Sequence, residues 1–492
     1  MPAGHRHSGR STRPDRRADS RANRVIESSL GVENRPLSAS RGSVVAQSSR
    51  HHPPVPTGMQ AVMPFVIAVA CAVPWFLIRL FVDIHAQPPV IAPAVVSIVT
   101  GTAIVGAAFL LSWAAEVFQL DVSQALALAL LALIAVLPEY AVDAVFAWKA
   151  SSNPEIAPYA IANMTGSNRL IVGFGWASVV VVAWWRTGRK VTGAAGKRLT
   201  VAPDGAVVNG VVRLADEQAV ELVALAVASV YALVIPFKGQ IDLVDAAVLV
   251  AIFSAYAWVT SRMPSEDPEL EGPAAVIGVL PTALRRTLMI GLFVYATVTI
   301  FLSAEYFAEG LVETGKSMGF DEFVLVQWLA PLASEAPEFL VALMFAWRGL
   351  AGAGLRTLVS STVNQWTLLV GTLGLVYRIG QQFSSTPVAG GGLPLDSRQT
   401  EELLLTSVFS LFALATVADF RLSVGEAALI GGAFIFQLVG AQVAPDRTVF
   451  QYIMIGVFAA ATVFLIATSR ERRQGILSIP RRVRESLSLV SH

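Results

Sequence analysis

Apolar residues fall in runs of about 20, the length a helix needs to cross the hydrocarbon of a bilayer. Twelve such runs begin near Met59, Pro89, Val122, Ala157, Gln218, Leu243, Thr287, Glu322, Leu355, Glu401, Leu422 and Phe450. Short polar loops separate them, and the basic residues are not evenly shared among the loops. With the Arg-rich N-terminal segment placed in the cytoplasm, the basic stretch 186–213 falls on the same side. So do Arg262, Arg285, Arg286, Arg348, Arg356, Arg421 and the C-terminal "SRERRQ" and "PRRVRES". Twelve spans with both termini cytoplasmic satisfy the rule that positive charge stays inside.

The polar interruptions within the runs carry the chemistry. "LPEYAVDAVFAWK" (137–149) sets Glu139 and Asp143 one helical turn apart in an apolar helix. "APEFLVALMFAWR" (336–348) repeats it at a constant offset of 199, matching Pro138 with Pro337, Glu139 with Glu338 and Phe-Ala-Trp-basic at the end. Two unrelated apolar helices share Leu, Val and Ala, not Pro-Glu together with Phe-Ala-Trp-basic. The following spans correspond too: "ANMTGSNRLIVG" (162–173) and "VSSTVNQWTLLVG" (359–371) align Asn168 with Asn364 across a short gap. The first motif lies on span three and the second on span eight, so the two copies cross in opposite directions. Inverted repeats of this kind build secondary transporters, with the substrate site near the midplane where the repeats meet.

Proline removes a backbone donor and clashes with the preceding turn, so Pro138 and Pro337 are expected to break their helices beside Glu139 and Glu338. Freed carbonyls next to carboxylates suit a hard cation such as Ca²⁺, which takes six to eight oxygens at about 2.3–2.6 Å. Asp143 and Glu335 lie on the same helix faces as the paired glutamates, at i+4 and i−3. Four converging carboxylates repel one another unless metal ions or protons neutralise them. Neutral oxygens for the same site are available from Asn163, Ser167 and Asn168 in one half, and from Ser334, Ser361 and Asn364 in the other. Serine and threonine in membrane helices also commonly bond back to their own backbone, whereas duplicated intramembrane acids point to function. Trp148 and Trp347, each beside a basic residue, read as interfacial anchors.

Composition agrees. The 492 residues are 54% hydrophobic and 14% charged, well below the charge of a soluble domain. The net charge of +1 offers nothing for nucleic acid. The single cysteine, Cys71, excludes an internal disulfide and a cysteine metal cluster. Residues 1–57, rich in Arg and Ser, are expected to be a disordered tail. A first transmembrane half over 58–260, a cytoplasmic linker over 261–284, a second half over 285–470 and a basic tail over 471–492 complete the organisation. "KRLTVAPDGAVVNGVVRL" alternates around a Pro-Asp-Gly turn and predicts a small local hairpin; "STPVAGGGLPLDS" predicts a flexible outside loop.

Pro-Glu motifs in two inverted copies, each followed by a helix with an Asn-x-x-Gly-Ser-Asn element ("NMTGSN", 163–168), resemble the alpha repeats of the cation/Ca²⁺ antiporter superfamily, the sodium/calcium exchangers. The resemblance covers residues 89–440. It implies an all-α polytopic membrane protein, two inverted halves of five helices with one extra helix at each end. It also implies that Glu139 and Glu338 bind Ca²⁺ and the counter-ion in turn, with flanking hydroxyls and amides completing the sites. This chain departs from the pattern: Ile134-Ala135-Val136 replaces the usual Gly-Thr-Ser, the second copy reads Ala333-Ser334-Glu335, and Val359 stands where an Asn is expected. Several Na⁺ ligands are thus missing, while Asp143 and Glu335 add acids. The reading is a secondary-active cation antiporter of a bacterial cell membrane, exchanging Ca²⁺ for Na⁺ or H⁺ by alternating access. Its partners are inorganic cations and the lipid bilayer; no cofactor and no enzymatic activity are expected. The alternatives are a Na⁺/H⁺ exchanger without Ca²⁺ transport, a cation channel, or a non-transporting membrane scaffold.

Overall fold

A computed structural model describes residues 59–82, 91–121, 137–188, 210–263, 270, 272–319 and 321–488. The expected N-terminal tail, most of the expected hairpin and the first part of span three lie outside these residues.

Among the described residues, eight helices are long and apolar enough to cross a membrane. They become nine when the pair Glu322–Ser334 and Glu338–Arg348, bent by 56°, counts as one span. In chain order the elements are α1 (Met59–Ala70), α2 (Val73–Phe81), α3 (Pro93–Phe118), α4 (Leu137–Ala150), α5 (Ala157–Arg169), α6 (Trp176–Gly188), β1 (Val211–Arg213), α7 (Ala219–Ala232), β2 (Gln240–Asp242) and α8 (Leu243–Thr260). A short helix α9 (Gly272–Gly278) leads into the second half: α10 (Thr282–Met318), α11 (Glu322–Ser334), α12 (Ala336–Arg348), α13 (Ala351–Asn364) and α14 (Val370–Phe383). It continues with β3 (Gly392–Pro394), α15 (Ser397–Thr416), β4 (Arg421–Ser423), α16 (Val424–Val443), α17 (Arg447–Thr468) and α18 (Arg470–Ser488). Helices lie at the other expected positions too, although only the 14 residues of α4 are described at the third. The one over 351–383 and α15 are not among the eight, because Asn364 and Gln365 in the former and Gln399, Glu401 and Glu402 in the latter lower their hydropathy.

Local chemistry sets the element ends. Asp242 caps α8 and Asp245 answers it, while Ser423 caps α16 and Glu426 answers it; each pair satisfies two donors that the first turn leaves orphaned. Gly319 and Gly349 close α10 and α12 in the left-handed region, where a side chain would be strained.

Two findings that the sequence reading lacked concern the strands. Val211–Arg213, the described end of the expected hairpin, pairs with Arg421–Ser423 in the other half. The expected flexible loop contains β3, which pairs with β2. Both ribbons obey one internal symmetry. An offset of 181 carries β1 onto β3 and β2 onto β4. It turns the pairing Val211↔Ser423 into Gly392↔Asp242, which is the pairing observed. Since β1 precedes α7 and β2 follows it, the ribbons sit at opposite ends of that helix, each stitching one half to the other.

The halves also meet along their helices. α3 crosses α10 closely, with Gly101 against the Phe307 ring and Gly310 against Ser97. α5 crosses α11 where Gly166 faces the carbonyl of Gln327; a Cβ there would lie 1.7 Å from that oxygen. The expected basic tail from residue 471 forms most of α18, folded back on the end of the bundle.

Candidate functional site

α4, α5, the α11–α12 break and the start of a π turn at Gln365–Leu369 bring the site together. The break places Glu335 as both the C-cap of α11 and the N-cap of α12, so its side chain leaves the chain between two helices. Glu139, Asp143 and Glu335 are all buried.

Gln365 is the hub. Its Nε2 lies 3.2 Å from Glu139 Oε2, 2.7 Å from Glu335 Oε1 and 2.7 Å from Ser167 Oγ. An amide nitrogen carries two hydrogens and cannot serve three acceptors at once. The Ser167 hydroxyl also donates to Glu335 Oε1, at 3.0 Å. Asn163 Nδ2 donates to Asp143 Oδ1 at 2.7 Å, and the Tyr140 hydroxyl donates to Asn364 Oδ1 at 3.0 Å.

Eight oxygens around this cluster are buried without a hydrogen-bond partner: Glu139 Oε1, Asp143 Oδ2, Asn163 Oδ1, Asn168 Oδ1, Glu335 Oε2, Glu338 Oε2, Ser361 Oγ and Gln365 Oε1. Buried polar atoms normally find partners, so this concentration of lone pairs is what a cation or proton would satisfy. Yet among the described residues no three His, Cys, Asp or Glu side chains are gathered as a ready-made metal site. Glu139, Asp143 and Glu335 are each tied to an amide or hydroxyl donor instead.

The ten candidates from the sequence divide accordingly. Glu139, Ser167 and Glu335 meet at Gln365, Asp143 is bonded to Asn163, and Asn364 is bonded to Tyr140. Glu338 presents a buried oxygen but makes none of these bonds. Asn168 donates to the carbonyl of Met164 on its own helix at 3.0 Å. Ser334 bonds back to the carbonyl of Ala330 at 3.2 Å. Ser361 is buried with its hydroxyl unpartnered.

Two features are not legible in the motif alone. π turns at Leu170–Gly175 and Gln365–Leu369 follow Asn168 and Asn364 in the two halves, and such turns favour functional positions. The other is a buried charged column beside the site. Arg169 meets Glu402, which also meets Arg447 and accepts from Gln327 at 2.9 Å; Arg447 lies 3.1 Å from Glu401. Arg169 is stacked on Trp328 at 5.2 Å. A Gln-x-x-Glu-Leu pattern at 218–222, repeated at 399–403 at the offset of the strands, was the available signal. The first copy's Glu221 is buried as well and meets Arg356 at 3.3 Å.

A helical membrane protein in two inverted halves, with acids of both halves on one buried amide, is the class defined so far. The model of the family described as "Sodium/calcium exchanger protein" matches residues 92–262 and 288–443. The chain belongs to this sodium/calcium exchanger family and is a multi-pass integral membrane protein. The solved H⁺/Ca²⁺ exchanger CAX is 36% identical, with 87% of this chain and 99% of that one covered and a TM-score of 0.75. Native YfkE is 16% identical over 76% of this chain and 98% of that one, with a TM-score of 0.51, a likeness of fold. No curated protein matches the sequence.

Proposed function

We propose that the chain is a secondary-active antiporter that exchanges Ca²⁺ for H⁺. The observation that carries this reading is the shared donor: Glu139 from one half and Glu335 from the other both accept from Gln365 Nε2. Carboxylates this close in a water-poor site cannot all remain charged without a neutralising partner. A hard divalent cation taking several carboxylate oxygens is one such partner; protons on the same oxygens are the other. Because the two compete for the same atoms, the site empties of one as it fills with the other, which is the condition for exchange rather than leak. Two inverted halves meeting at the site supply the alternating access.

In this reading Glu139, Glu335 and Glu338 are the central Ca²⁺ ligands. Asp143 carries a proton, and Asn163, Ser167, Asn168, Ser334, Ser361 and Asn364 supply neutral oxygens. H⁺ rather than Na⁺ is favoured by the missing hydroxyls at 134–136, by the additional acids Asp143 and Glu335, and by the 36% identity to a protein described as an H⁺/Ca²⁺ exchanger. The distribution of Lys and Arg orients both termini to the cytoplasm of a cell membrane.

Ca²⁺ uptake into proteoliposomes under an imposed pH gradient, and separately under a Na⁺ gradient, tests the reading. The expected result is uptake driven by the pH gradient and abolished by Glu139→Gln and by Glu335→Gln. Uptake driven by Na⁺ alone overturns the coupling ion. Na⁺/H⁺ exchange without Ca²⁺ movement overturns the substrate, and flux that needs no counter-ion indicates a channel.

A further inference from the structure

α18 has two opposite faces with different chemistry. It follows α17 after Ser469 alone, and α17 is one of the membrane-length apolar helices, so α18 begins at the bilayer boundary. One face is bound to the bundle. Arg472 pairs with Glu426, Arg482 pairs with Asp216 and lies 4.1 Å from the Phe420 ring centroid, and Ile479 and Val483 pack on the core. Gly475 makes the approach possible, since a Cβ there would lie 2.0 Å from the carbonyl oxygen of Ala418.

The opposite face carries Arg470, Arg473, Leu477, Arg481 and Arg484. Their three- and four-residue spacing aligns them in one stripe, and all five are exposed, Leu477 at 79%. Within the stripe Arg473 caps the last carbonyls of α17, and Arg481 pairs with Glu485 at 2.7 Å in an exposed contact worth little.

The neighbouring ribbon adds an independent signal. Arg213 of β1 and Arg421 of β4 are direct cross-strand partners. Val212 and Leu422 are fully buried, so both arginines project outward from the same face, where they are exposed. Like charges directly opposite each other destabilise a strand pair. The pair lies at the same end as α18, one residue from the Phe420 that holds Arg482.

We infer that the outer face of α18 and the Arg213–Arg421 pair form a docking surface for anionic phospholipid headgroups in the adjoining leaflet. Charge complementarity selects an anion, and the end of α17 places the surface at headgroup depth. Leu477, exposed amid the arginines, fits a bilayer interface into which an apolar side chain can dip; a soluble anion has no use for it.

The test uses the purified full chain in detergent, with binding of phosphatidylglycerol and phosphatidylcholine counted by native mass spectrometry. Preferential retention of phosphatidylglycerol is expected. Each arginine removed near the surface should weaken it about fivefold. The triple variant Arg470→Gln/Arg481→Gln/Arg484→Gln should therefore lose about 100-fold in affinity, and Arg213→Gln/Arg421→Gln about 25-fold. In phosphatidylcholine the triple variant should keep wild-type melting, because its side chains are exposed, and Arg213→Gln/Arg421→Gln should melt no lower than wild type, because it removes a like-charge pair. Equal retention of the two lipids, or wild-type phosphatidylglycerol affinity in both variants, overturns the inference. So does full competition by inorganic phosphate combined with no effect of Leu477→Gln, which assigns the surface to a soluble anion.

Discussion

Glu139 and Glu335, one from each inverted half, accept hydrogen bonds from the same nitrogen, Nε2 of Gln365. Gln365 itself opens a π turn in the second half, so three segments from two repeats are tied at a single atom. Any motion that separates the halves around the site must break or exchange these bonds. A cation or proton that satisfies the carboxylates instead would release the amide.

Gln365→Leu keeps the side-chain volume and removes the shared donor. A buried acceptor left unpaired costs about 1–3 kcal/mol, more when charged. The expected outcome is a folded protein whose Ca²⁺ exchange falls at least about tenfold. Gln365→Glu should fall further by adding like charge. Initial uptake rates in proteoliposomes, with melting temperature as a folding control, check both; unchanged rates in both would remove Gln365 from the site.

Asp143 has no acidic counterpart, since Ala342 occupies the matching position, and its Oδ1 accepts from Asn163. Asp143→Asn preserves shape and polarity while removing an ionisable group. If Asp143 carries the exchanged proton, the dependence of Ca²⁺ uptake on external pH should flatten while Ca²⁺ binding survives. A full pH profile of the variant against wild type decides this, and an unaltered profile rules the role out.

Arg169 and Glu402 are buried to 2% and 1% exposure in the spanning region. Removing one partner of such a pair strands a buried charge, at a typical cost of about 3–5 kcal/mol. Arg169→Leu alone should therefore lower the melting temperature sharply. Arg169→Leu/Glu402→Gln should recover part of the loss, because Glu402 no longer needs a counter-charge; the recovery is incomplete because Arg447 also relies on Glu402. Thermal melts of the two variants in one detergent measure the coupling.

Gly166→Ala should be among the most damaging small substitutions. The new methyl would meet the Gln327 carbonyl, a backbone atom that cannot rotate away. Forcing α5 from α11 also pulls Ser167 from Glu335. Overpacking costs about 1–3 kcal/mol in ordinary cores, and a clash with backbone sits at or beyond the upper end. Yield of monodisperse protein and Ca²⁺ uptake should both drop, whereas Gly432→Ala, facing open space, should leave them unchanged.

The sequence by itself determined the membrane class, the positions of the spans and the duplicated Pro-Glu motif. These are local properties: hydrocarbon tests each 20-residue run on its own hydropathy, and a repeated motif or a proline needs no partner to be read. It also named Glu139, Asp143 and Glu335, the acids that the structure holds on buried amides. Only the tertiary structure decided how those groups meet. The offset of 199 pairs Glu139 with Glu338, but the shared donor joins Glu139 to Glu335, because the α11–α12 break turns Glu335 inward. One extra residue in a turn shifts the following side chains by about 100° around the axis, so the π turn at Gln365 cannot be placed from helical spacing. Val211–Arg213 likewise reads as part of a local hairpin, and nothing in that reading points to its partner in the other half, Arg421–Ser423. Such pairings depend on how helices cross, which is set by contacts such as Gly166 on Gln327 between residues far apart in the chain.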